Sequence, residues 1–321
     1  MPGLTESQIV QFTEEGFLAL DDVLDPRQDL DPVVEEYTVI LDQLARDLFA
    51  AGRISSTCSD LPFAERLTRV QFETGESYHQ HFDIALPKRR VAEQTPISVG
   101  PAVFNLLRNE TLLDLVESLI GPEIFANPIQ HVRLKQPVGT APGAPAADGA
   151  RVAPDWFHQD NAFMMPEADA TEMVTVWLPL VDASVANGCL AVVPFSHRDG
   201  LMLHCNPGVT IPAQLTRAHE AVPVPLRRGG VLLMHRLMHH GPLPNHSGTV
   251  RWSFDLRYNP ADQPSGREVQ PGFIARSRAQ PDTEIRDPEQ WAALWHQTRA
   301  TLAGQPDPVY ERWSSDEPGC A

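Results

Sequence analysis

Apolar residues recur on two different periods along this chain, and the change between them divides it. In "LTESQIVQFTEEGFLALDDVL", Leu4 to Leu24, the apolar positions are Ile9, Phe12, Phe17 and Leu20. Thr5 with Gln8 three residues later predicts a helix N-cap, and Gly16 predicts the break before a short strand, "FLALDDVL". "DPVVEEYTVILDQLARDLFAAGRI" has apolar residues at helical spacing and stops at Gly52. "VGPAVFNLLRNETLLDLVESLIGPEI" reads as a helical pair closed by Gly121-Pro122. A mainly helical part is therefore expected over about residues 1–122.

From about Phe125 the segments become short, β-branched and punctuated by Pro, Gly and Asn. "FANPIQHVRLKQ", "EMVTVWLPLVDA", "GCLAVVPF", "VPVPLRRGGVLLMH" and "TVRWSFDLRYNP" all read as strands. Strands at such spacing predict a sandwich or barrel over about residues 123–260. "PVGTAPGAPAADGARVAP", Pro137 to Pro154, has no period and predicts a loop, either a flap at a site or a solvated connection. Residues 261–321 form an extension, Pro- and Arg-rich at first and closing on the helix-like "DPEQWAALWHQTRATLAG". A single domain over 1–321 is expected, since 321 residues at 42% hydrophobic suffice for a sizeable core.

A net charge of −17 argues against nucleic acid and anionic membrane surfaces as partners. No apolar run is long enough to cross a bilayer and no signal peptide is visible, so a cytoplasmic location is expected. Cys58, Cys189, Cys205 and Cys320 show no C-x-x-C pairing, and four reduced structural thiols are expected.

Two His-x-Asp triplets carry candidate chemistry, His158-Gln159-Asp160 and His81-Phe82-Asp83. On an extended backbone residues i and i+2 share a face, so His158 and Asp160 can hold one ion while Gln159 faces away. A third ligand must come from "GGVLLMHRLMHHGPLPNHSGTVRWSFDLRY", where His235, His239, His240 and His246 compete. Two imidazoles and a carboxylate form the facial triad of non-haem Fe(II) sites, and the same donors also suit Zn(II). His240 precedes Gly241 at the end of an apolar strand, and a hairpin is expected to return Arg251 beside the metal on the neighbouring strand. There its planar fork can clamp a carboxylate, with Ser253 adding a hydroxyl on the same face; the alternative is an ion pair with a protein acid.

Together these stretches resemble the phytanoyl-CoA dioxygenase family of Fe(II)/2-oxoglutarate-dependent oxygenases. The resemblance is carried by "HQD", "NGCLAVVPFSHRDG", "MHHGPLPNHS" and "VRWS", and spans about Leu4 to Tyr258. It implies a mainly β fold with flanking helices, a double-stranded β-helix or cupin-like jelly roll. It also implies Fe(II) held by His158, Asp160 and His240, with 2-oxoglutarate as co-substrate anchored by Arg251, and O2 and a small molecule as further substrates. Arg69 in "LTRVQF" falls where the family has a basic co-substrate contact. His131 in "HVRLKQP" falls on the pocket strand, and Trp177 on an aromatic wall. Pro242 departs from the family, which can place a hydroxyl after the His-Gly.

Hydroxylation is the default outcome the resemblance implies. Asp160 argues against halogenation, because halogenating members have a small residue there, while desaturation, epoxidation and ring formation stay open. A mouth for CoA would want clustered basic residues, so a small non-CoA metabolite is expected. A metal-binding cupin-like protein without oxygenase activity is the rival from another class. His197 is expected to brace its turn, and Met164, Met165, Met234 and Met238 to line core or pocket. Tyr78, His79, His81 and Asp83 are expected nearer substrate than metal. "PKRR", Pro87 to Arg90, reads as a solvated basic turn.

Overall fold

The structure is a computed structural model that describes residues 3–139, 156–206, 208–308, 310 and 312–320. The loop expected at 137–154 falls mostly outside the described residues.

Helix α1 (Glu6–Glu15) starts at the expected cap. Thr5 accepts from the Gln8 amide, Gln8 returns the bond, and Gly16 ends the helix at φ 83°. Strand β1 (Phe17–Leu20) follows, then α2 (Asp31–Ala50), α3 (Phe63–Thr74), α4 (His79–Phe82), α5 (Pro101–Leu107) and α6 (Glu110–Ile120). Among the described residues nine further strands follow: β2 (Glu123–Ala126), β3 (His131–Lys135), β4 (Val174–Pro179), β5 (Leu190–Val192), β6 (Val222–Val224), β7 (Val231–His235), β8 (His240–Pro242), β9 (Arg251–Pro260) and β10 (Phe273–Ser277). Helix α7 (Pro288–Ala303) closes the chain's regular structure, capped by Asp287.

The large sheet runs β1-β7-β4-β9-β2-β10, with β3 also on β9. Strand β9 is long enough to take β4 along one edge and β3 followed by β2 along the other. The small sheet runs β6-β5-β8. A reciprocal backbone bridge, His158 N–H to His240 O at 3.0 Å and His240 N–H to His158 O at 3.1 Å, joins the metal-loop segment to β8. This is the double-stranded β-helix, with helices covering one face of the large sheet.

Alternation along β9 separates the two faces of that sheet. Trp252, Phe254, Leu256 and Tyr258 join the apolar core beneath the helices, with Tyr37, Phe63 and Phe82. Phe63 and Trp252 meet at 4.2 Å between ring centroids, and each such side chain contributes roughly 1.5–3 kcal/mol by leaving water. Arg251, Ser253, Asp255 and Arg257 alternate with them and point the other way, into the barrel. One strand thus anchors the helices with one face and furnishes the site with the other.

Several expectations need correction. His240 does not end the apolar strand; β7 stops at His235 and His240 opens β8 in the small sheet. Arg251, on β9 of the large sheet, therefore does not lie on a strand neighbouring that of His240. Helix α3 and strand β10 escaped the sequence reading, the first because "FAERLTRVQFET" is polar on most faces, the second because it is short and sits in a Pro-rich stretch. Cys205 and Cys320 form a disulfide, so the expectation of four reduced thiols holds only for the buried Cys58 and Cys189. Sequence reasoning missed it because a separation of 115 residues leaves no local signature. Among the described residues no helix is long and apolar enough to cross a membrane.

Candidate active site

His158, Asp160 and His240 converge, their ligand atoms all within 4.8 Å of one another. Nε2 of His158 and Nε2 of His240 each lie 3.8 Å from Asp160 Oδ1, too far for a hydrogen bond and open enough for an ion between them. Their tautomers are set by the backbone. His240 Nδ1 is 3.0 Å from Met238 O and His158 Nδ1 is 3.4 Å from Trp156 O, so each Nδ1 carries the proton and each Nε2 keeps its lone pair. Burial, then the neighbouring His240, holds the His158 imidazole well below its ordinary range, hence neutral. Two imidazoles whose Nε2 atoms face one carboxylate are a donor set that fits a divalent transition metal.

Asp160 is 1% exposed, and burial alone would raise its pKa. Arg257 outweighs burial, aided by His240 and His158, and the carboxyl is held well below its usual range. Arg257 Nη2 donates to Oδ1 at 2.6 Å, and the Thr175 hydroxyl donates to Oδ2. Neither residue was singled out from sequence. Arg257 had a readable signal, since it shares the alternation of Arg251 and Ser253 on β9; Thr175 had none. Gln159, expected only to face away, does so and is wholly engaged. It donates to Gly200 O and Leu237 O at 2.8 Å each and accepts from the Met202 amide at 2.8 Å.

Arg251 lies inside the barrel, 2% exposed, with Nε donating to Gly188 O at 3.1 Å and Nη1 donating to Ser253 Oγ. Its guanidinium sits 5.4 Å from the Trp177 ring centroid, so Trp177 forms the floor beneath it. Among the described residues no carboxylate is within ion-pair distance of it, and burial pulls its pKa down to about 10. The ion pair weighed as the alternative is absent among the described residues. Ser253 accepts from Arg251 and so keeps its own O–H to donate.

The other candidates separate. His131 Nδ1 is 3.0 Å from Asp83 Oδ2, while Asp83 Oδ1 accepts from the Ile84 and Val132 amides at 3.0 Å each. His79 Nε2 stands 3.9 Å from the same carboxylate. The second triplet thus supports His131 and the β3 wall, where Arg133 pairs with Asp255 at 2.6 Å. Tyr78 is buried against the half-buried His81. Arg69 is not brought to the site: it is exposed on α3 and pairs with Glu73 one turn on, as an i,i+4 partner on a solvent face does. His197 braces its turn, Nε2 lying 3.1 Å from Thr13 O. His239 is buried with neither ring nitrogen bonded, His246 is exposed, and His235 packs on His197 at 5.1 Å. Met164, Met234 and Met238 are buried core, and Met165 is half-buried.

A jelly roll that gathers two imidazoles and a carboxylate, and that buries an arginine with no carboxylate at ion-pair distance among the described residues, has the donor set of a non-haem iron site. Relatives narrow this further. The model of the phytanoyl-CoA dioxygenase (PhyH) family matches residues 12–253, and the chain belongs to that family. It is thus an iron- and 2-oxoglutarate-dependent oxygenase. The chain is 25% identical over 272 residues to phytanoyl-CoA dioxygenase domain-containing protein 1 of Danio rerio, covering 78% of this chain and 88% of that protein. It is likewise 25% identical over 264 residues to the 1-deoxypentalenic acid 11-beta-hydroxylase of Streptomyces exfoliatus, covering 76% and 85%. The solved apo structure of the non-haem monooxygenase ThoJ shares the fold, with a TM-score of 0.59 at 17% identity over 93% of this chain and 99% of that one.

Proposed function

We propose that this protein hydroxylates a C–H bond of a small organic metabolite while 2-oxoglutarate is decarboxylated to succinate, with His158, Asp160 and His240 as the Fe(II) ligands. The observation that carries this reading is Arg251, a buried cation with no carboxylate at ion-pair distance among the described residues, on the strand face that also carries Arg257, the partner of Asp160. Such a charge is costly unless an anion joins it, and a dicarboxylate bound at the triad by one end brings its other end there. When bound, the iron supplies the activation of O2 and the oxidising power for C–H cleavage.

The chain's own residues do the rest. Arg257 and Thr175 keep Asp160 ionised and fix which oxygen faces the imidazoles. Arg251 and Ser253 hold the far carboxylate over Trp177, and the buried setting keeps water from competing for it. His131, with Nδ1 pinned to Asp83, is left with Nε2 as an acceptor toward the substrate. The reading of a small substrate rather than an acyl-CoA rests on the charge of −17, and hydroxylation is supported by the name of the Streptomyces relative.

Anaerobic addition of Fe(II) and 2-oxoglutarate should produce the weak visible band of their chelate on the protein. Metabolite fractions added with O2 should then include some that raise succinate release several-fold. A protein that binds Fe(II) without ever forming the chelate would instead be the metal-binding cupin-like rival.

A further inference from the structure

The segment after α7 lies beyond the family-matched residues 12–253, yet it returns to the turn that carries the triad. Four contacts fasten it there. The Tyr310 ring lies 4.4 Å from the Arg267 guanidinium, and Arg267 donates to Phe163 O; the Phe163 ring stands edge-on to His158 at 5.3 Å. Arg312 pairs with Asp169, at 3.0 Å for Nη2 to Oδ2, and donates to Met164 O at 3.3 Å. Trp313 Nε1 donates to Ala162 O at 2.8 Å and its ring packs on His204 at 5.2 Å. Finally Cys320 is bonded to Cys205, the residue after His204.

His204 is where this tail meets the ligands. Its Nε2 accepts the Gln159 amide at 3.0 Å, the amide between His158 and Asp160. Its Nδ1, 2.9 Å from Met202 O, carries the ring proton. The ring is fully buried, closed over by Trp313. The ligand-bearing turn, Asp160 to Phe163, is a single 3-10 turn, and one such turn has little stability of its own.

We propose that Tyr310 and residues 312–320 are a covalently fastened clamp that positions the metal-ligand turn, with Trp313 and His204 as positioning residues and the Cys205–Cys320 disulfide as its latch. This rests on the iron reading above. The tail's separate contacts are few, and the tail is held to them by a bond that removes most of its freedom to leave. Opening the latch takes two electrons: a dithiol breaks the S–S bond, each sulfur leaves as a thiol with one proton, and the dithiol closes to its own disulfide. Freed, the tail releases Ala162 and uncovers His204, and the ligands must be ordered at the expense of metal affinity. Changes in groups that orient metal ligands weaken affinity by about 10–100-fold.

The test is an anaerobic Fe(II) titration of the full chain at saturating 2-oxoglutarate, read by the chelate band. Four proteins are compared: oxidised wild type, wild type reduced with a phosphine that is then removed, Cys320→Ser, and oxidised Trp313→Phe. We expect reduced wild type and Cys320→Ser to lose about tenfold in affinity alike, with no further effect of reduction on Cys320→Ser. Trp313→Phe keeps an aromatic ring, smaller than the indole and without its N–H, and should lose a few-fold. Amide hydrogen exchange of the metal-free protein supplies the second readout, with faster exchange at residues 157–163 once the latch is open. Equal affinity and equal exchange in oxidised and reduced wild type would overturn the clamp. Absence of the chelate in every form would overturn the iron reading instead, and the exchange comparison would still decide the clamp.

Discussion

Arg251 and Arg257 stand on one strand, on one face, and are equally buried, at 2% and 1% exposure. Arg257 has a carboxylate at 2.6 Å, Asp160, and a second, Asp255, at 3.8 Å. Arg251 has a carbonyl, a hydroxyl and an aromatic face instead. The fold thus pairs one cation with carboxylates and, among the described residues, gives its neighbour none at ion-pair distance. Two arginines that look alike in sequence have different settings: one fixes Asp160, and the other is proposed to receive the far carboxylate of 2-oxoglutarate.

Substitution should separate them by sign as well as size. Asp160→Ala removes a proposed metal ligand and leaves Arg257 only the more distant Asp255, at 3.8 Å, so Fe(II) binding should vanish and the metal-free fold should lose about 3–5 kcal/mol. Iron titration and urea unfolding check both, and a variant of unchanged stability would mean that Arg257 does not depend on Asp160. His158→Ala and His240→Ala should abolish iron binding without taking the near carboxylate from Arg257.

Arg251→Ala should raise the 2-oxoglutarate requirement by about 100-fold, a loss of roughly 2.7 kcal/mol. The metal-free fold should be unharmed or more stable, because an uncompensated buried charge has gone. Arg251→Lys should recover only part of the affinity, since an ammonium lacks the fork. Variants that titrate with 2-oxoglutarate like the parent would remove the basis of the contrast.

Acid should probe a different group of side chains, two histidines removed from solvent. Burial pushes the pKa of His204 and of His235 down to about 4, so both are neutral when folded. As pH falls from about 6.5 toward 4 the unfolded chain takes up protons that the folded chain refuses, and stability declines; above about 6.5 these groups contribute no slope. Urea unfolding of metal-free protein between pH 7.5 and 4.5 measures this, and His235→Gln should reduce the slope by about one proton. A flat profile over that window would contradict the assigned neutrality.

The smallest effect is expected at Arg69. Exposed and paired only with Glu73, Arg69→Ala should leave 2-oxoglutarate binding unchanged and stability within about 0.5 kcal/mol. A rise in the 2-oxoglutarate requirement near that of Arg251→Ala would return Arg69 to the site.

What was legible in the chain was legible for local reasons. The cap at Thr5 and Gln8, the break at Gly16 and the helical periods of α2, α5 and α6 depend on neighbours within a few residues. The pairing of His158 with Asp160 follows from an extended backbone, and the alternation of β9 puts Arg251 and Ser253 on one face. Arg69 misled because its place in "LTRVQF" says nothing of the rotation of α3 about its own axis, which packing decides.

By itself, then, the sequence determined most of the elements, though not α3, β10 or the start of β8, together with the candidate ligand types and which residues of a strand share a face, because these are set by backbone geometry over two to four residues. Tertiary structure alone decided that His240 starts a strand of the small sheet, that Arg257 and not Arg251 receives Asp160, that Asp83 belongs to His131, and that Cys320 reaches Cys205. Each of those pairings joins segments whose separation along the chain carries no information about their distance in space, and only the closing of the barrel supplies it.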